Sequence, residues 1–187
     1  MLKAYWDKGI SFESHLGRIR ETVKVQDGST QDMLQKYQLS IERAEKIISS
    51  YKSNAEQEEK YLEADFNGNI LIIAEGWCGD CSQSIPVIRQ FFKHKNPVKI
   101  LYRNENPDLM QLFLTNGNEA VPIVIFLDED CNILTHWGPR TKHGLQLFAK
   151  FRKDPENYSR EMFLKDLHTY YDINKGFDIM EEILEIL

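Results

Sequence analysis

Residues 77–81, with the sequence Trp-Cys-Gly-Asp-Cys, constrain the fold more than any other part of this chain because of what flanks them. The residues at 70–74 are all apolar, and a short apolar run of this kind predicts a buried strand. The segment 82–92 then carries apolar side chains at a helical spacing, among them Ile85 and Ile88. The pattern therefore predicts that the two cysteines lie where a strand gives way to a helix.

This position predicts redox chemistry for Cys78 and Cys81. Cys78 falls at the N-terminus of the predicted helix, where free backbone N–H groups and the positive end of the helix dipole favour a thiolate. Cys81 lies one turn further along, within reach of a disulfide bond. A strand, a Cys-x-x-Cys pair and a helix together are typical of a thiol–disulfide site.

A structural or zinc-binding role is the main alternative for the cysteine pair. Zinc takes four protein ligands in structural sites, and the second pair is missing unless Cys131 joins with His136 or His143. Cys131 falls in a predicted hairpin turn, and we interpret it as an incidental turn cysteine rather than a third redox partner. The five histidines show no ligand spacing. We therefore expect no metal.

Composition and charge narrow the class of protein. The 187 residues are 42% hydrophobic and carry a net charge of −6, which favours a well-packed single domain and argues against binding to nucleic-acid phosphates. No apolar run approaches the roughly 20 residues that cross a bilayer, and no signal peptide is evident at residues 1–10. Three cysteines do not make the disulfide framework of a secreted protein. We expect a cytoplasmic protein without nucleic-acid or membrane partners.

The pattern after the first 65 residues predicts an α/β fold with a mixed sheet. Strands are predicted at residues 70–74, 98–102, 123–127 and 133–137, the last two joined by a hairpin turn. Helices are predicted at residues 82–92, from 106 to about 116, and at 145–153, 160–174 and 177–187. In the helix that begins at Asn106, Leu112 is expected to face inward. In the last helix, an apolar stripe that begins at Phe177 is expected to pack on the protein's own core.

The first 65 residues predict helices only. Ser11 is expected to cap a long amphipathic helix, which a break at Asp27 ends. After a short helical piece, Ser40 is expected to open a second long helix. The charged run 56–60 is interpreted as the solvated end of that helix.

Residues 77–81 resemble the Trp-Cys-Gly-Pro-Cys active site of the thioredoxin family, with Asp80 in place of the proline. Pro86 matches the proline of that family's active-site helix. Val121-Pro122 falls 41 residues after the second cysteine, at the spacing of the family's cis-proline. The glycines at positions 117 and 138 also match positions where the family carries glycine.

The resemblance implies a thioredoxin fold, in which a mixed four-stranded sheet is flanked by helices. It covers residues 68–150, which we take as the core of a single domain spanning 1–187. Residues 1–67 are then an extra helical N-terminal extension, and residues 151–187 are extra C-terminal helices.

The resemblance also implies an enzyme, a thiol–disulfide oxidoreductase that reduces protein or small-molecule disulfides. Cys78 is expected to attack the substrate disulfide and Cys81 to resolve the mixed disulfide. The residues expected to shape the site and contact the substrate are Trp77, Gly79, Asp80, Val121 and Pro122. The redox-active disulfide stands in place of a cofactor. Because the chain has no flavin or nicotinamide fingerprint, we expect an external reductase or dithiol donor to supply the electrons.

Two departures from the family pattern bear on this chemistry. Asp80 places a carboxylate beside the Cys78 thiolate, so we expect a more reducing disulfide than in an Asp80→Pro variant. Ile72 occupies the position where thioredoxins hold a buried acid. Glu75 is the nearest carboxylate in sequence and the candidate acid or base, although strand alternation puts it on the opposite face.

Two other functions remain open at this stage. A less reducing disulfide would indicate an oxidase or isomerase. A cysteine pair that turns over slowly would indicate a thioredoxin-fold module that binds a partner. Solvent exposure of the Glu75 carboxylate is weighed equally with a functional role. Arg103 and Arg140 follow predicted strands, and for both we expect surface salt bridges rather than partner contacts.

Overall fold

Four strands form a mixed sheet at the centre of the molecule. The computed structural model describes residues 2–26 and 28–187. The strands are β1 (Asn69–Ala74), β2 (Val98–Tyr102), β3 (Ile123–Leu127) and β4 (Ile133–Trp137). They lie in the order β2-β1-β3-β4, with β1 parallel to β2 and antiparallel to β3, and β3 antiparallel to β4. All four predicted strands are confirmed within one residue.

The two central strands carry the core of the protein. Ile70 through Ala74 and every residue of β3 are buried, because helices cover both faces of the sheet at this point. β4 lies at the edge of the sheet, and its Ile133 and Leu134 are exposed. The mixed sheet flanked by helices that the pattern predicts is therefore confirmed.

Nine helices are found in the part of the chain that the structure describes. They are α1 (Lys3–Lys8), α2 (Phe12–Val25), α3 (Gln31–Ser50), α4 (Ala55–Ala64), α5 (Gly79–Phe92), α6 (Pro107–Met110), α7 (Lys142–Lys153), α8 (Arg160–Asn174) and α9 (Phe177–Leu184). Side-chain hydroxyl groups cap several of them: Ser11, for example, accepts a hydrogen bond from the backbone N–H of Ser14, as expected.

The N-terminal helices differ from the prediction in two places. Ser40 does not open a helix, because α3 already begins after the capping residue Thr30. The Ser40 hydroxyl instead donates to the carbonyl of Lys36, one turn earlier, which satisfies it inside the helix. The charged run 56–60 is not the end of α3 but part of α4, a separate helix that Asn54 caps. The break predicted at Asp27 lies outside the described residues.

Four smaller predictions about later helices are also wrong. The helix predicted from residue 106 to about 116 is only the four-residue α6, followed by a 3-10 turn over Gln111–Phe113. α7 begins at Lys142 rather than at residue 145, because Thr141 caps it. Leu112 is exposed, since the chain leaves the four-residue α6 in a tight 3-10 turn that points this side chain outward. Phe177 is 42% exposed, and the buried stripe of α9 begins two residues later at Ile179.

The helices from both ends of the chain pack on the same core as the sheet. α2 and α3 pack on each other, α3 lies along α5, and α9 contacts both α4 and α5. Leu16 of α2 and Ile183 of α9 are buried in one hydrophobic cluster with the central strands. Within the described residues, no helix combines the length and the apolar composition that a membrane span requires.

Candidate active site

Cys78 is the N-cap residue of α5, where β1 gives way to the helix. Its Sγ accepts a hydrogen bond from the backbone N–H of Cys81 at 3.4 Å, and its own N–H donates to the carbonyl of Glu75 at 3.1 Å. The helix N-terminus therefore directs a backbone donor at this sulfur, which stabilises negative charge there. The strand-to-helix position expected for the cysteines is observed.

Cys81 lies behind Cys78, and its side chain is nearly inaccessible to solvent. Burial raises the pKa of the Cys81 thiol well above its usual range, and the neighbouring Cys78 raises it further. Both cysteines carry free thiols. The two sulfurs therefore have different environments, one at the dipole of the helix and one in the apolar interior.

Cys78 is covered, although it lies at the start of the helix. Its relative exposure is only 8%. Side chains of α3 and α8 crowd the next residue: a side-chain carbon at Gly79 would lie 3.0 Å from Cε1 of His168 and 3.5 Å from Nη1 of Arg43. Helices from both ends of the chain thus meet at Gly79, beside Cys78.

The loop before β3 completes the surroundings of Cys78. The Val121–Pro122 peptide bond is cis, and both residues are buried. The thiol of Cys78 donates to the carbonyl of Val121 at 3.3 Å. Trp77 is half-buried, with the guanidinium carbon of Arg103 5.7 Å from the centre of a Trp77 ring. Trp77 and Gly79 are the two residues of the motif that remain partly accessible.

Asp80 is buried and paired rather than free beside the cysteines. Its Oδ2 lies 2.7 Å from Nη2 of Arg140, and its Oδ1 accepts a hydrogen bond from the Tyr171 hydroxyl at 2.9 Å. Burial raises the pKa of Asp80, and the Arg140 guanidinium and the Tyr171 hydroxyl oppose that rise. The surface salt bridge predicted for Arg140 is therefore wrong, because this guanidinium reaches a buried carboxylate.

Glu75 is buried at the end of β1, so the solvated alternative considered for it is wrong. Its Oε1 accepts a hydrogen bond from the backbone N–H of Asn104 at 3.0 Å and lies 3.9 Å from Nε of Arg103. Burial raises the pKa of Glu75. The carboxylate thus holds the turn after β2, and Arg103 joins it below the protein surface rather than in a surface salt bridge.

Comparison with known proteins decides the family. Residues 28–152, about two thirds of the chain, match the family model described as Thioredoxin. The chain belongs to the thioredoxin family. The match begins well before residue 68. The part of the chain that matches the family model therefore includes α3 and α4 as well as the segment from β1 onward.

Two solved structures resemble this thioredoxin-family protein over nearly its whole length. An HIV epitope-scaffold has 17% sequence identity and a TM-score of 0.64, with 96% of this chain and 93% of that chain covered. A protein of unknown function from Pseudomonas aeruginosa has 18% identity and a TM-score of 0.65, covering 96% and 92%. These likenesses establish a shared fold, terminal helices included. Among curated proteins, none matches this chain.

Three residues of this thioredoxin-family site were missed by sequence reasoning: Arg43, His168 and Tyr171. Their side chains reach the cysteine motif from α3 and α8, far away in the chain. The one available signal was the i, i+3 spacing of His168 and Tyr171, which places both on the same face of α8.

Among residues 2–26 and 28–187, no cluster of three or more His, Cys, Asp or Glu side chains is arranged to hold a metal ion. Ile72 is fully buried at the centre of the sheet, so the family's acidic position below the cysteines is apolar in this protein.

Proposed function

We propose that this protein is a thiol–disulfide oxidoreductase that reduces disulfides through Cys78 and Cys81. The observation that supports this most strongly is the position of the Cys78 sulfur at the N-terminus of α5, where it accepts the Cys81 N–H. A thiolate at this position is stabilised by the helix, whereas the thiol of Cys81 is kept protonated by its burial. The two sulfurs are thus suited to attack and to resolution.

The reaction proceeds in two exchanges that together move two electrons. The Cys78 thiolate bonds to one substrate sulfur, the substrate disulfide breaks, and the other sulfur leaves as a thiolate. The departing thiolate is a base that can take the proton of Cys81. The Cys81 thiolate then attacks the Cys78 sulfur, breaks the mixed disulfide and releases the second substrate thiolate. The substrate is reduced, and the protein holds a Cys78–Cys81 disulfide.

An external dithiol donor or reductase returns the protein to its reduced form in this proposal. No bound cofactor takes part, since the cysteine pair itself carries the two electrons. The low cysteine content fits a cytoplasmic protein that works in a reducing compartment.

The cover over Cys78 favours small or extended disulfides as substrates. Only Trp77 and Gly79 of the motif are partly accessible, and the side chains of Arg43 and His168 narrow the approach. A bulky folded substrate requires that α8 or its side chains move away first.

Reduction of a small disulfide and of insulin by the purified protein, with dithiothreitol as donor, tests this function. We expect turnover of hydroxyethyl disulfide to exceed that of insulin, and Cys78→Ser to abolish both. Cys81→Ser should accumulate a mixed disulfide, because the resolving thiol is gone. Cys131→Ser is the matched control and should keep the wild-type rate. Undiminished turnover by Cys78→Ser would exclude the mechanism.

The reduction potential of the cysteine pair decides the direction of exchange. A value near the roughly −270 mV of thioredoxin indicates a reductase, and a value above about −200 mV indicates an oxidase or isomerase.

A partner-binding module with little turnover is the second candidate, and the 8% exposure of Cys78 is the observation that favours it. The two candidates differ in the test above, because a module would form its disulfide slowly or not at all and would reduce neither substrate.

A further inference from the structure

A cavity lies behind the active-site helix, among α3, α5, α8 and α9. Its volume is about 240 Å³, a little below the ~300–1,000 Å³ typical of small-molecule sites. Ile47, Val87 and Ile179 form an apolar wall. None of the residues that line it is a cysteine, so it is separate from the thiol pair.

One polar group that lines this cavity is buried without a hydrogen-bond partner. It is the hydroxyl of Tyr51, which bonds to no other described residue. The side chain of Gln83, a residue of α5 with 6% relative exposure, also lines the cavity. Burial, with a contribution from Glu58, raises the pKa of Tyr51, so this hydroxyl keeps its proton and can donate. Buried polar groups of this kind normally have a partner, and here a ligand can supply it.

The lining of the cavity is strongly cationic. It contains four basic side chains and one carboxylate, which are Arg43, Lys46, Lys52, Lys175 and Asp172. The carboxylate of Asp172 is taken by Lys46 at 2.7 Å. The remaining three cations have no carboxylate partner within the described parts of the chain. This local excess runs against the net charge of −6 of the whole protein.

Arg43 is the one of these four cations that is partly removed from solvent, since the three lysines are exposed. It is half-buried, and its one hydrogen bond in the described structure is a long contact of 3.5 Å to the Ser82 hydroxyl. Burial lowers the pKa of Arg43, while Asp172 and Asp80 oppose that change electrostatically without bonding to it. A guanidinium removed from water is normally paired, and its fork of N–H donors matches a carboxylate.

We propose that this cavity binds a small organic carboxylate whose apolar body packs against Ile47, Val87 and Ile179. The carboxylate is held by Arg43 with support from the lysines at the rim, and Gln83 and Tyr51 supply further hydrogen bonds. Because Arg43 also lies beside Gly79, the bound anion sits next to the redox site without touching its sulfurs. The binding site does not depend on the redox activity.

Amide chemical-shift titration of the full chain with naphthalene-2-carboxylate tests this site. We expect saturable shifts at the backbone amides of residues 83, 87 and 176, and at least tenfold weaker binding of the neutral analogue naphthalene-2-methanol. Affinity should fall as salt is added, because the recognition is electrostatic. Equal affinity for the acid and the alcohol, or shifts confined to other surfaces, would overturn the proposal.

Three variants locate the binding to this lining. Arg43→Gln should weaken the carboxylate by about tenfold or more, and Asp172→Asn should strengthen it because Lys46 is released. Arg160→Gln removes an exposed arginine outside the cavity and should leave the affinity unchanged. If Arg43→Gln does not fold, Lys52→Gln on the exposed rim gives the same test with a smaller loss. Wild-type affinity in the cavity variants would refute the assignment.

Discussion

At the scale of single residues, Asp80 shows that the residue in place of the motif's proline has side-chain partners of its own. From the sequence, this carboxylate was expected to act directly on the neighbouring thiolate. In the structure, Arg140 and Tyr171 take its two oxygens and tie the motif to α8 and to the segment before α7. Its charge is thereby compensated, so the proposed effect on the redox potential is weakened by Arg140.

The Asp80→Asn substitution should destabilise the protein by about 3 kcal/mol, because it leaves the partly buried Arg140 guanidinium without a counter-charge. Denaturant unfolding at neutral pH measures this loss.

Asp172→Asn is the matched control for that loss, since the Lys46–Asp172 pair has the same length of 2.7 Å but is exposed. It should cost about 1 kcal/mol or less. Equal losses in the two variants would mean that the Asp80–Arg140 pair contributes no more than a surface pair.

At the scale of elements, α8 acts as a cover for the cysteine helix. His168 projects from it towards Gly79, and its Nδ1 is buried without a partner among the described residues. Tyr171, one turn later, binds Asp80. The same helix therefore binds the motif at Asp80 and narrows the space at Gly79, the residue next to Cys78.

Removal of the His168 ring should open the approach to Cys78. We expect His168→Ala to raise the rate at which a bulky aromatic disulfide reagent labels Cys78 by several-fold, as measured by mass spectrometry of the labelled peptide. Lys165→Ala on the same helix is the control, because Lys165 is exposed and its removal uncovers nothing. Identical labelling rates in both variants would show that the cover does not depend on this ring.

At the scale of the whole molecule, buried histidines make the free energy of unfolding depend on pH. His15 is 5% exposed, and burial lowers its pKa from 6.5 to about 4. The folded pKa lies below the unfolded one, so the unfolded chain takes up a proton first as the pH falls. Stability is therefore lost between about pH 6.5 and pH 4, and His168, with its pKa also lowered to about 4, adds a loss of the same sign.

The His15→Gln variant should lose about 3 kcal/mol less than the wild type between pH 7 and pH 4. Denaturant unfolding over this range measures the difference, and the raised pKa values of Glu75 and Asp80 act equally in both proteins. His94→Gln replaces an exposed histidine and should follow the wild type. A pH dependence of His15→Gln that matches the wild type would contradict the assignment.

Sequence predictions succeeded where the interactions are between residues close in the chain and failed where they are between residues far apart. The four strands and some helix ends, such as those of α8, were predictable, because apolar runs and caps such as Ser11 are local signals. The start of α3 was misplaced, since Ser40 satisfies its hydroxyl within the helix and so resembles a cap in sequence only. The cover over Cys78 was also missed, because no local pattern records that Arg43 and His168 meet at Gly79.

The hydrogen bond from the Cys78 thiol to the Val121 carbonyl has a consequence for the proposed reaction. In the resting protein, the proton of the Cys78 thiol is donated to the Val121 carbonyl, a backbone acceptor beside the place where a substrate must lie. Loss of that proton activates the sulfur and, in the same event, vacates the carbonyl. A substrate that donates an N–H to the Val121 carbonyl would then replace the Cys78 thiol as its partner and lie beside the sulfur.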